Sequence, residues 1–556
     1  MCHTLVVTLS VDHIDRLVRA GWTPSGAAEA ALPAHASRWL LDRIGLVPCS
    51  TPSAPTSTFV VPDSALDSAA RAALVSVVGD DHVLLGGDDR LGRGGGLSYL
   101  DLLRRRGVGE IPVPDAVIVP ADQDEVQRVI DVCVEHGIGV VPFGGGTSVV
   151  GGVLALRGDN RAVVVVDLAR LDRLVSVDPV SRVAVFQAGV VAPEAERLLA
   201  EHGLTLGHFP QSFERATLGG FAATRSSGQA SAGYGRFEDM VEGVRVATPR
   251  GSWRIGVAPA SAAGPDLRQL VVGSEGAFGV ITEVTVRVRR APAFDRYEGF
   301  VLDGWDAGTA AVRALAQRGA LGTVTRLSDP HETEVGLELK GGWKTGALRR
   351  FLRVRGVAEP CLLIVGWEEQ TKAELAARRT ATLRILRAAR AIALGTAAGN
   401  AWRHGRFAGP RQRDALMDAG VCVETLETAT YWSKLDSLRT RVRDALVDSL
   451  ATDERHPIVA CHISHSYETG ASLYFTVLVP RDPDDPIGQW TNAKHAASSA
   501  ISGGDSPLGT ISHHHATGVD HAPYLSKEIG PLGVDVLTAV KRELDPKGVL
   551  NPGKLI

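Results

Sequence analysis

Three consecutive histidines, His513, His514 and His515, form the densest group of chemically versatile side chains in the sequence. Imidazole can accept or donate a proton near neutral pH and can also ligate a metal ion. Side chains alternate between the two faces of a strand, so we expect His513 and His515 to share one face and His514 to face away. Zinc sites combine histidines with cysteines or carboxylates at characteristic spacings, and no matching spacing surrounds this triplet. We therefore predict a hydrogen-bonding cluster and no metal site.

A glycine-rich stretch, VVPFGGGTSVVGG from Val140 to Gly152, directly follows an apolar run. Consecutive backbone N–H groups without Cβ atoms can line a concavity for phosphate oxygens, and the hydroxyls of Thr147 and Ser148 add donors. The stretch lacks both a G-x-G-x-x-G pattern leading into a helix and the lysine of a P-loop. A doubly wound dinucleotide site and an NTPase site are therefore both disfavoured. A plain glycine hairpin remains an alternative at this point.

Two further stretches of similar composition favour a large cofactor over a surface turn. The segment HFPQSFERATLGGFAATRSSG carries several hydroxyl side chains and paired glycines, and we expect it to be a long loop. The segment GSEGAFGVITE leads from glycines into an apolar strand. Three separated loops rich in Gly, Ser and Thr suit a cofactor that has a pyrophosphate and a polar ring.

Four other side chains could take part in chemistry, although the residues alone favour structural roles. Tyr474 lies in ASLYFTV, whose alternation predicts a strand with a core tyrosine. A phenol transfers protons readily only if nearby cations or a cofactor lower its pKa from about 10. Arg413 is predicted to lie on a helix surface, where its guanidinium could bind a phosphate or carboxylate in bidentate fashion. Glu424 and Glu427 in ETLETATYW are predicted to share a solvated helical face and to play no catalytic part.

Length, charge and cysteine usage describe a globular protein of several domains. The 556 residues exceed one compact core, and 44% are hydrophobic. A net charge of −4 provides no basic surface for nucleic acid. The six cysteines are far apart and form no C-x-x-C pair, which favours a reducing cytoplasm. We predict no transmembrane segment and no signal peptide, because no long apolar run and no basic N-terminal region occur.

The order of elements predicts two domains of different construction. In the first, the strands DAVIVP and IGVVPFGGG flank the helix QDEVQRVIDVCVEHG, and the hairpins LVSVDPVSRVAVFQAG and GVRVATPRGSWRIG follow. In the second, long helices alternate with antiparallel strands such as HPIVACHISHSY and ASLYFTVLVP, which indicates an α+β domain. Ahead of both, SYLDLLRRRG predicts a helix that Ser98 caps and whose arginines are solvated.

Several of these stretches together resemble a known family. Three stretches resemble the FAD-binding domain of the vanillyl-alcohol-oxidase-type flavoproteins. They are PDAVIVPADQDEVQRVIDVCVEHGIGVVPFGGGTS, GSEGAFGVITE and LDPKGVLNPGKL. Within that group, four further stretches resemble the alkylglycerone-phosphate (alkyldihydroxyacetonephosphate) synthases. They are SYLDLLRRRG, RFAGPRQRDAL, ETLETATYW and ISHHH. The resemblance implies an α+β protein: a two-subdomain FAD-binding domain of PCMH type with an antiparallel-sheet α+β cap. The expected boundaries are an N-terminal helical region at 1–110, the FAD-binding domain at 111–292, the cap at 293–510 and a segment returning to the flavin at 511–556.

The same resemblance implies the site residues. Tyr474 would be the acid/base, Arg413 would contact substrate, and His513, His514 and His515 would lie beside flavin and substrate. Residues 142–148 would hold the FAD pyrophosphate. Residues 211–217, 224–227 and 275–282 would line the adenosine, ribityl and flavin portions. The glycine loops contain neither His nor Cys, so we expect noncovalent FAD. The expected cofactor-binding residues are Pro142, Phe143, Gly144, Gly145, Gly146, Thr147, Ser148, Gln211, Ser212, Phe213, Glu214, Arg215, Ala216, Thr217, Thr224, Arg225, Ser226, Ser227, Glu275, Gly276, Ala277, Phe278, Gly279, Val280, Ile281 and Thr282.

Three functions are compatible with this reading. The resemblance implies an FAD-dependent transferase that exchanges the acyl group of acyl-glycerone phosphate for a fatty alcohol through a flavin N5 adduct, in ether lipid synthesis. The alternative on the same fold is an FAD-linked oxidase or dehydrogenase of a 2-hydroxy acid or a related small alcohol. An inert FAD-fold binding protein is disfavoured by the joint presence of Tyr474, Arg413 and the histidine triplet. The substrate would be a small or lipid-like molecule, while a homodimer and peripheral membrane contact through a cap helix stay open.

Two departures from the patterns of these families bear on the choice. Metal-binding hydroxy-acid enzymes carry an HxGDGNxH-like strand, and YETGASLY places Tyr467 and Tyr474 where two histidines would be expected. This substitution counts against a metal-dependent oxidase. Conversely, Ala260 in APASAAGPD stands where the animal synthases carry an arginine, which counts against the ether-forming reaction.

Overall fold

The computed structural model describes residues 21–22, 32–47, 49–504 and 507–556, so the expectations for the segment before residue 21 lie outside the described residues. The helices of the N-terminal region are α1 (Ala34–Ile44), α2 (Ser68–Val78), α3 (Gly87–Gly92) and α4 (Tyr99–Arg104). These helices contribute to both domains that follow. Leu40 of α1 lies in the core of the cap, whereas Leu74 of α2 lies in the core of the first domain.

Helix α4 begins as predicted, but its arginines are not solvated. The Ser98 hydroxyl accepts the Asp101 backbone N–H, and the Asp101 carboxylate accepts that of Ser98, which completes a capping box. Arg105 and Arg106 are only 5% and 9% exposed. The Arg106 guanidinium lies 2.7 Å from the Asp418 carboxylate, so a charge partner in the cap compensates its burial.

The first sheet positions the glycine loop. Its elements are β1 (Val83–Leu84), β2 (Ala116–Ile118), α5 (Gln123–His136), β3 (Ile138–Phe143) and β4 (Ala162–Asp167). The strand order is β1-β2-β4-β3, in which β4 pairs in parallel with both β2 and β3. Helix α5 agrees with the sequence prediction: Asp122 caps it, Val126, Val129 and Ile130 are buried, and Gly137 ends it in the left-handed region. Strand β3 then delivers the chain directly to Gly144.

The second sheet of the first domain is antiparallel and has the order β5-β6-β10-β8-β9. Both predicted hairpins are present, β5 with β6 and β8 with β9. Strands β7 and β11 form a separate pair. The elements of this part are β5 (Leu174–Asp178), β6 (Val183–Gln187), α6 (Ala192–Ala200), β7 (Leu204–Thr205), α7 (Leu218–Thr224), α8 (Ser231–Tyr234), α9 (Phe237–Met240), β8 (Val241–Thr248), β9 (Gly251–Ile255), α10 (Arg268–Val271), β10 (Val280–Arg287) and β11 (Arg289–Arg290).

Helix α7 contradicts the expectation of one long loop between His208 and Gly228. The Thr217 hydroxyl accepts the Gly220 backbone N–H and so caps the helix start. Leu218, Phe221 and Ala222 are then buried against the first-domain core. Tertiary burial of this apolar face outweighs the low helix propensity of the paired glycines.

The cap is built on a seven-stranded antiparallel sheet with the order β15-β12-β14-β13-β17-β18-β16, which confirms the predicted α+β cap. Its elements are β12 (Phe294–Asp303), α11 (Trp305–Gln317), β13 (Val324–Ser328), α12 (Pro330–Lys340), α13 (Trp343–Val354), β14 (Pro360–Glu369), α14 (Lys372–Ala388), β15 (Ile392–Gly395), α15 (Thr396–Gly405), α16 (Gly409–Asp418), β16 (Val421–Tyr431), α17 (Leu435–Leu450), β17 (Ile458–Ile463), β18 (Gly470–Pro480) and α18 (Pro486–Ser502).

The stretch ETLETATYW lies in strand β16 rather than on a solvated helical face. The strand pairs with β18 along its whole length, from Val421 opposite Pro480 to Tyr431 opposite Gly470. Both of its glutamates, Glu424 and Glu427, are buried. The run of β-branched and apolar residues around the carboxylates favours the strand. An ion pair with Arg413 at Glu424 and three backbone N–H donors at Glu427 make the burial tolerable.

The C-terminal segment returns to the first domain. Helix α19 (Leu525–Leu544) has a kink at Gly530, and the chain after it runs beside β3. The Val140 N–H donates to the Val549 carbonyl at 2.7 Å, and the Asn551 N–H donates to the Val140 carbonyl at the same distance. Among the described residues, no helix is long and apolar enough to cross a membrane.

Candidate functional site

The glycine loop after β3 is packed too tightly for side chains. A Cβ atom on Gly145 would collide with the Arg215 carbonyl, and one on Gly144 would collide with the Thr217 hydroxyl. Gly146 has a φ of +62°, a left-handed conformation that favours glycine. The structure therefore brings 142–148 and 211–217 together, as predicted, and internal packing accounts for part of the glycine content.

A pocket opens beside this loop. Two arginines, Arg105 and Arg215, and the backbone of two glycine runs surround it, so its lining favours an anion. The second run, Gly94-Gly95-Gly96, is missing from the predicted cofactor-binding residues, although it repeats the three glycines of the first. The lining residues are Gly92, Gly95, Gly96, Leu97, Arg105, Phe143, Gly144, Gly145, Gly146 and Arg215.

The remaining predicted cofactor segments meet at the same place. The Glu275 N–H donates to the Ala223 carbonyl at 3.0 Å, and the Arg225 side chain donates to the Val272 carbonyl. A Cβ atom on Gly276 would meet the ring of Pro142, so 275–276 lies against the glycine loop. Further along, Val280–Thr282 belongs to β10, and the Thr282 hydroxyl contacts Gln123.

These segments fit a polar cofactor. Among the described residues, the buried Ser227 Oγ, Ser274 Oγ and Glu275 Oε1 have no hydrogen-bond partner. Buried polar atoms are normally satisfied, so unpartnered ones in these segments point to a ligand with matching polar groups. Burial raises the pKa of Glu275 to about 7, against the backbone donors Gly518 and Thr517.

Tyr474 lies in the middle of β18, directly opposite Glu427 on β16 and His462 on β17. Its ring stacks on that of His462 at 4.7 Å, and the His514 ring lies parallel to it at 6.0 Å. Burial raises the pKa of the phenol to about 12, although the hydrogen bond with Thr425 opposes this shift. The protein groups around Tyr474 therefore do not lower the pKa of its phenol, which is protonated at neutral pH.

A second group beside Tyr474 went unrecognised in the sequence. Arg326 on β13 lies 2.9 Å from the Glu332 carboxylate, at the start of α12. The same carboxylate is 2.8 Å from His462 Nδ1. Arg326 and His462 hold the pKa of Glu332 below its usual range despite its burial. The ion pair of Arg326 and Glu332 contacts the His462 ring that stacks on Tyr474. It therefore places a pair of opposite charges on one side of the phenol.

The histidine triplet is not in a strand, so the predicted alternation of faces is wrong. Residues 513–515 form a bend whose backbone N–H groups converge on one carboxylate of β16, that of Glu427. His513 Nε2 lies 2.6 Å from the Tyr467 hydroxyl, and the His513 and His514 Nδ1 atoms are 3.0 Å apart. All three imidazoles therefore cluster with the two tyrosines of β18 and the turn before it.

Burial controls the charge of this cluster. It lowers the pKa of His514 below the usual value and those of His513 and His515 well below it, so the rings are neutral at pH 7. Although burial opposes ionisation of Glu427, the charge of the imidazoles when they are protonated and the His514 backbone N–H hold the pKa of its carboxyl well below the usual range, so the carboxylate is ionised at pH 7. Neutral imidazoles can accept protons, whereas the ionised carboxylate cannot donate one.

Ligand atoms of Glu427, His513 and His514 lie within 4.8 Å of one another, close enough to surround a metal ion. The carboxylate oxygens already accept three backbone N–H groups and the Ser512 hydroxyl. Ligation would compete with those hydrogen bonds. We assign no metal, and its predicted absence stays a prediction.

Arg413 lies on α16 and is buried rather than on the helix surface. Its guanidinium is 2.9 Å from the Glu424 carboxylate and also donates to the Leu97 carbonyl at the pocket edge. Its Nε is buried without a partner among the described residues. Arg413 thus connects the glycine-lined pocket to the strand that carries both buried glutamates.

Arg236, which the sequence analysis did not single out, connects the two halves of the site. Its guanidinium donates to the Arg225 carbonyl at 3.0 Å and to the His513 carbonyl at 2.6 Å. It therefore joins a predicted flavin segment to the histidine triplet. No local motif around Arg236 indicates this role. By contrast, Ala260 is exposed in a loop with a φ of +53° and takes no part in these contacts.

Comparisons with known proteins agree with this architecture. Residues 114–255 match the FAD binding domain, and residues 291–555 match the C-terminal domain of FAD linked oxidases. The chain is 32% identical to alkyldihydroxyacetonephosphate synthase from Trypanosoma brucei brucei over 496 residues, which cover 87% of this chain and 80% of the relative. A solved structure of an alkyldihydroxyacetonephosphate synthase superposes with a TM-score of 0.82 at 26% identity, covering 96% of this chain and 98% of that one. An uncharacterized FAD-linked oxidoreductase from Escherichia coli K12 is 28% identical over 88% of this chain and 99% of its own length.

Proposed function

Because this chain belongs to the alkyldihydroxyacetonephosphate synthase family of FAD-dependent enzymes, we propose that it exchanges the acyl group of an acyl-glycerone phosphate for a fatty alcohol. The ester C–O bond to the glycerone carbon breaks, a C–O bond to the alcohol forms, and the fatty acid carries away the proton of the alcohol. Oxidation states balance, so the exchange needs no external oxidant or reductant. The observation that carries the proposal is the packing of a protonated Tyr474 among neutral imidazoles beside the predicted flavin segments.

FAD would be held by this chain's own loops. The glycine loop 142–148 would bind the pyrophosphate, and 211–217, 224–227 and 275–282 would line the adenosine, ribityl and flavin portions. Bound FAD supplies a ring that can take up and return an electron pair at the reacting carbon. The unpartnered Ser227 Oγ and Glu275 Oε1 support this placement, since a polar ligand would satisfy them.

The protein groups around Tyr474 would handle the protons. A neutral imidazole of His514 or His515 can accept the proton that the alcohol oxygen loses as its new C–O bond forms. The Tyr474 phenol, whose pKa of about 12 keeps it protonated, can donate to an oxygen on which charge develops. The two roles are complementary because the rings already lie against each other in the buried cluster.

Arg413 would bind the phosphate of the substrate. Its Nε points to no protein acceptor among the described residues, and its charge acts on Tyr474. Arg413 is paired with Glu424 through another nitrogen, so the Nε would be available to the phosphate. Arg326 lies on the opposite side of that tyrosine, behind His462, and would contribute charge rather than a phosphate contact.

Helix α13 would contact the membrane that supplies a lipid-like substrate. Trp343, Phe351 and Val354 lie on its outer face, and Trp343 and Val354 are each 79% exposed. Basic side chains flank this stripe on both sides, as in helices that lie in the interface of an anionic bilayer. The flanking residues are Lys344, Arg350, Arg353 and Arg355. Helix α12 directly precedes α13 and carries Glu332, which lies in the site. The membrane contact on α13 would therefore be about the length of one short helix away from Tyr474.

The experiment that tests the transferase is an anaerobic assay of the purified yellow protein with acyl-glycerone phosphate and a long-chain alcohol. We expect fatty-acid release, a new ether product and no net flavin reduction. The name of the Escherichia coli relative favours the second candidate, an oxidoreductase. Bleaching of the flavin by D-lactate or glycolate, with no ether product, would establish that alternative and reject the transferase.

A further inference from the structure

We propose that Glu427 is the positioning residue for the histidine triplet. Its Oε2 accepts the His513 N–H at 2.6 Å, and its Oε1 accepts the N–H groups of His514 at 3.0 Å and His515 at 2.9 Å. The Ser512 hydroxyl donates to Oε1 at 2.8 Å. One carboxylate therefore contacts four successive residues, Ser512 through its hydroxyl and His513, His514 and His515 through their N–H groups.

The geometry excludes Glu427 from proton transfer itself. Four donors converge on its two oxygens, and a protonated carboxyl would direct its own hydrogen at one of them. The side chain is fully buried, so water cannot replace a lost donor. Its function is to orient the backbone of residues 512–515, and through that backbone the imidazole rings.

The sheet sets the distance between this bend and the phenol. Glu427 on β16 and Tyr474 on β18 are directly paired neighbours, so the two side chains keep a fixed separation. The other end of the same loop is held from the first domain, because the Glu275 Oε2 accepts the N–H groups of Thr517 and Gly518. One carboxylate from each domain thus holds the segment 512–518 across the boundary between them.

The inference rests on the proposed role of the triplet, and it is tested with Glu427→Gln in the FAD-loaded protein. The amide keeps the shape of the side chain but turns two N–H donors toward backbone donors. We expect bound FAD to be retained, the visible circular dichroism of the flavin to change, and kcat to fall by about 100-fold, the size of effect that misplacement of reacting groups produces. KM should change far less. The dichroism needs no substrate, so it is informative even if the transferase reaction itself is not found.

Two further variants separate positioning from loss of fold. Asp303→Asn is the matched control, because Asp303 also accepts two backbone N–H groups in the cap, those of Ala358 and Glu359, away from the site. It should leave kcat and the dichroism unchanged. Ser512→Ala removes one of the four donors and should lower kcat by less than Glu427→Gln, which keeps the inference testable if the latter does not fold.

A double-mutant cycle tests whether Glu427 acts through the histidines. If it does, adding Glu427→Gln to His514→Ala/His515→Ala should change the residual kcat little, because both rings proposed as bases are already absent. Fully multiplicative losses would overturn the inference, as would a Glu427→Gln protein with wild-type kcat and dichroism. A rise in melting temperature on adding Zn²⁺ that Glu427→Gln abolishes would also overturn it, because the carboxylate would then be a metal ligand.

Discussion

Individual side chains in this site are defined more by their partners than by their types. Tyr474 would be an ordinary core tyrosine if the strands beside it carried apolar residues, but they carry His462 and Glu427. Burial keeps its phenol protonated, and burial keeps the neighbouring imidazoles neutral. The pair therefore offers an acid and a base at the same pH, without either group being charged in the resting site.

Replacing the phenol tests this arrangement. Tyr474→Phe removes only the hydroxyl, so we expect the protein to fold, to stay yellow and to lose at least about 100-fold in kcat, the usual size of an acid–base contribution. Activity and FAD absorbance measured on the same sample check this. Tyr431→Phe at the exposed end of β16 is the control and should behave as wild type. An active Tyr474→Phe protein would show that the proton moves elsewhere.

His208 makes a second residue-scale prediction. Burial, together with the charges of His514 and Arg236, lowers its pKa to about 3. The folded state then binds fewer protons than the unfolded chain below about pH 6.5, so stability is present above that pH and is lost as the pH falls toward 3. His208→Gln should reduce the loss of unfolding free energy between pH 7 and 5 by up to about 2 kcal/mol.

Urea unfolding at the two pH values measures the effect on His208. The exposed His202→Gln is the control and should keep the wild-type difference. An unchanged difference in His208→Gln would mean that this imidazole is not the neutral, buried group described above.

The sequence could identify the residues with distinctive types but not those that hold them. Tyr474, Arg413 and the histidine triplet lie in motifs that resemble a family, and they do converge on one site. Glu427 was assigned to a solvated helix face because its partners lie more than 80 positions away along the chain. Arg236 is separated from His513 by 277 positions. Contacts of this range depend on the packing of the domains, which no local pattern encodes.

At the scale of elements, strong apolar periodicity predicted the type of element correctly, whereas polar composition did not. Helix α5 and the hairpins follow from caps, apolar spacing and turn residues that act locally. Strand β16 and helix α7 depend on burial against other elements, so tertiary packing overrode local propensity in both. The glycine loop after β3 could be predicted because backbones approach each other closely there. That approach requires glycines, and a run of glycines is visible in the sequence.

Helix α13 supports a prediction about membranes. Arg350→Glu/Arg353→Glu reverses two charges beside the exposed apolar stripe, and each basic residue near an anionic surface contributes about 1 kcal/mol. We expect at least about 10-fold weaker binding to phosphatidylserine-containing vesicles in co-sedimentation. Added salt should weaken wild-type binding for the same electrostatic reason.

Trp343→Ala should weaken binding to the same vesicles by removing apolar area from the α13 stripe. Val536→Ala, an exposed apolar position on α19, is the control and should bind as wild type. Equal binding of wild type to phosphatidylserine-containing vesicles and to neutral phosphatidylcholine vesicles would contradict the proposed surface.

On the scale of the whole molecule, the site belongs to neither domain alone. The first domain supplies the glycine loops, the cap supplies Tyr474 and Glu427, and the segment after residue 510 joins the two. The order of elements in the sequence was enough to predict an α+β cap built on an antiparallel sheet. It could not predict that the C-terminal segment would pair beside β3, because that contact joins positions some 400 residues apart.

The attachment of FAD is a property of this assembled site. The loops 142–152 and 273–279 contain no nucleophilic His or Cys side chain, so we expect the flavin to be held by hydrogen bonds and packing alone. Acid precipitation of the yellow protein should therefore release the flavin into the supernatant. Yellow colour that remains with the pellet would show a covalent bond and would direct attention to the histidines that the cap and Arg236 bring to the flavin segments.

Asn551 ties the C-terminal segment to the cofactor loops, and its removal should loosen them together. Its Nδ2 donates to the carbonyls of Gly152 and Glu275 and so pins the glycine loop to the segment that carries Glu275. Asn551→Ala leaves two buried acceptors unsatisfied, which should cost roughly 2–4 kcal/mol of unfolding free energy. FAD should also bind more weakly, as fluorescence of released flavin on dilution would measure. Asn160→Ala, which removes exposed bonds to Arg157 and Gly548, is the control. Equal losses of unfolding free energy and of FAD affinity in both variants would contradict this role. The C-terminal segment would then stabilise the fold in general, and the two carbonyls would not depend on Asn551 for their alignment.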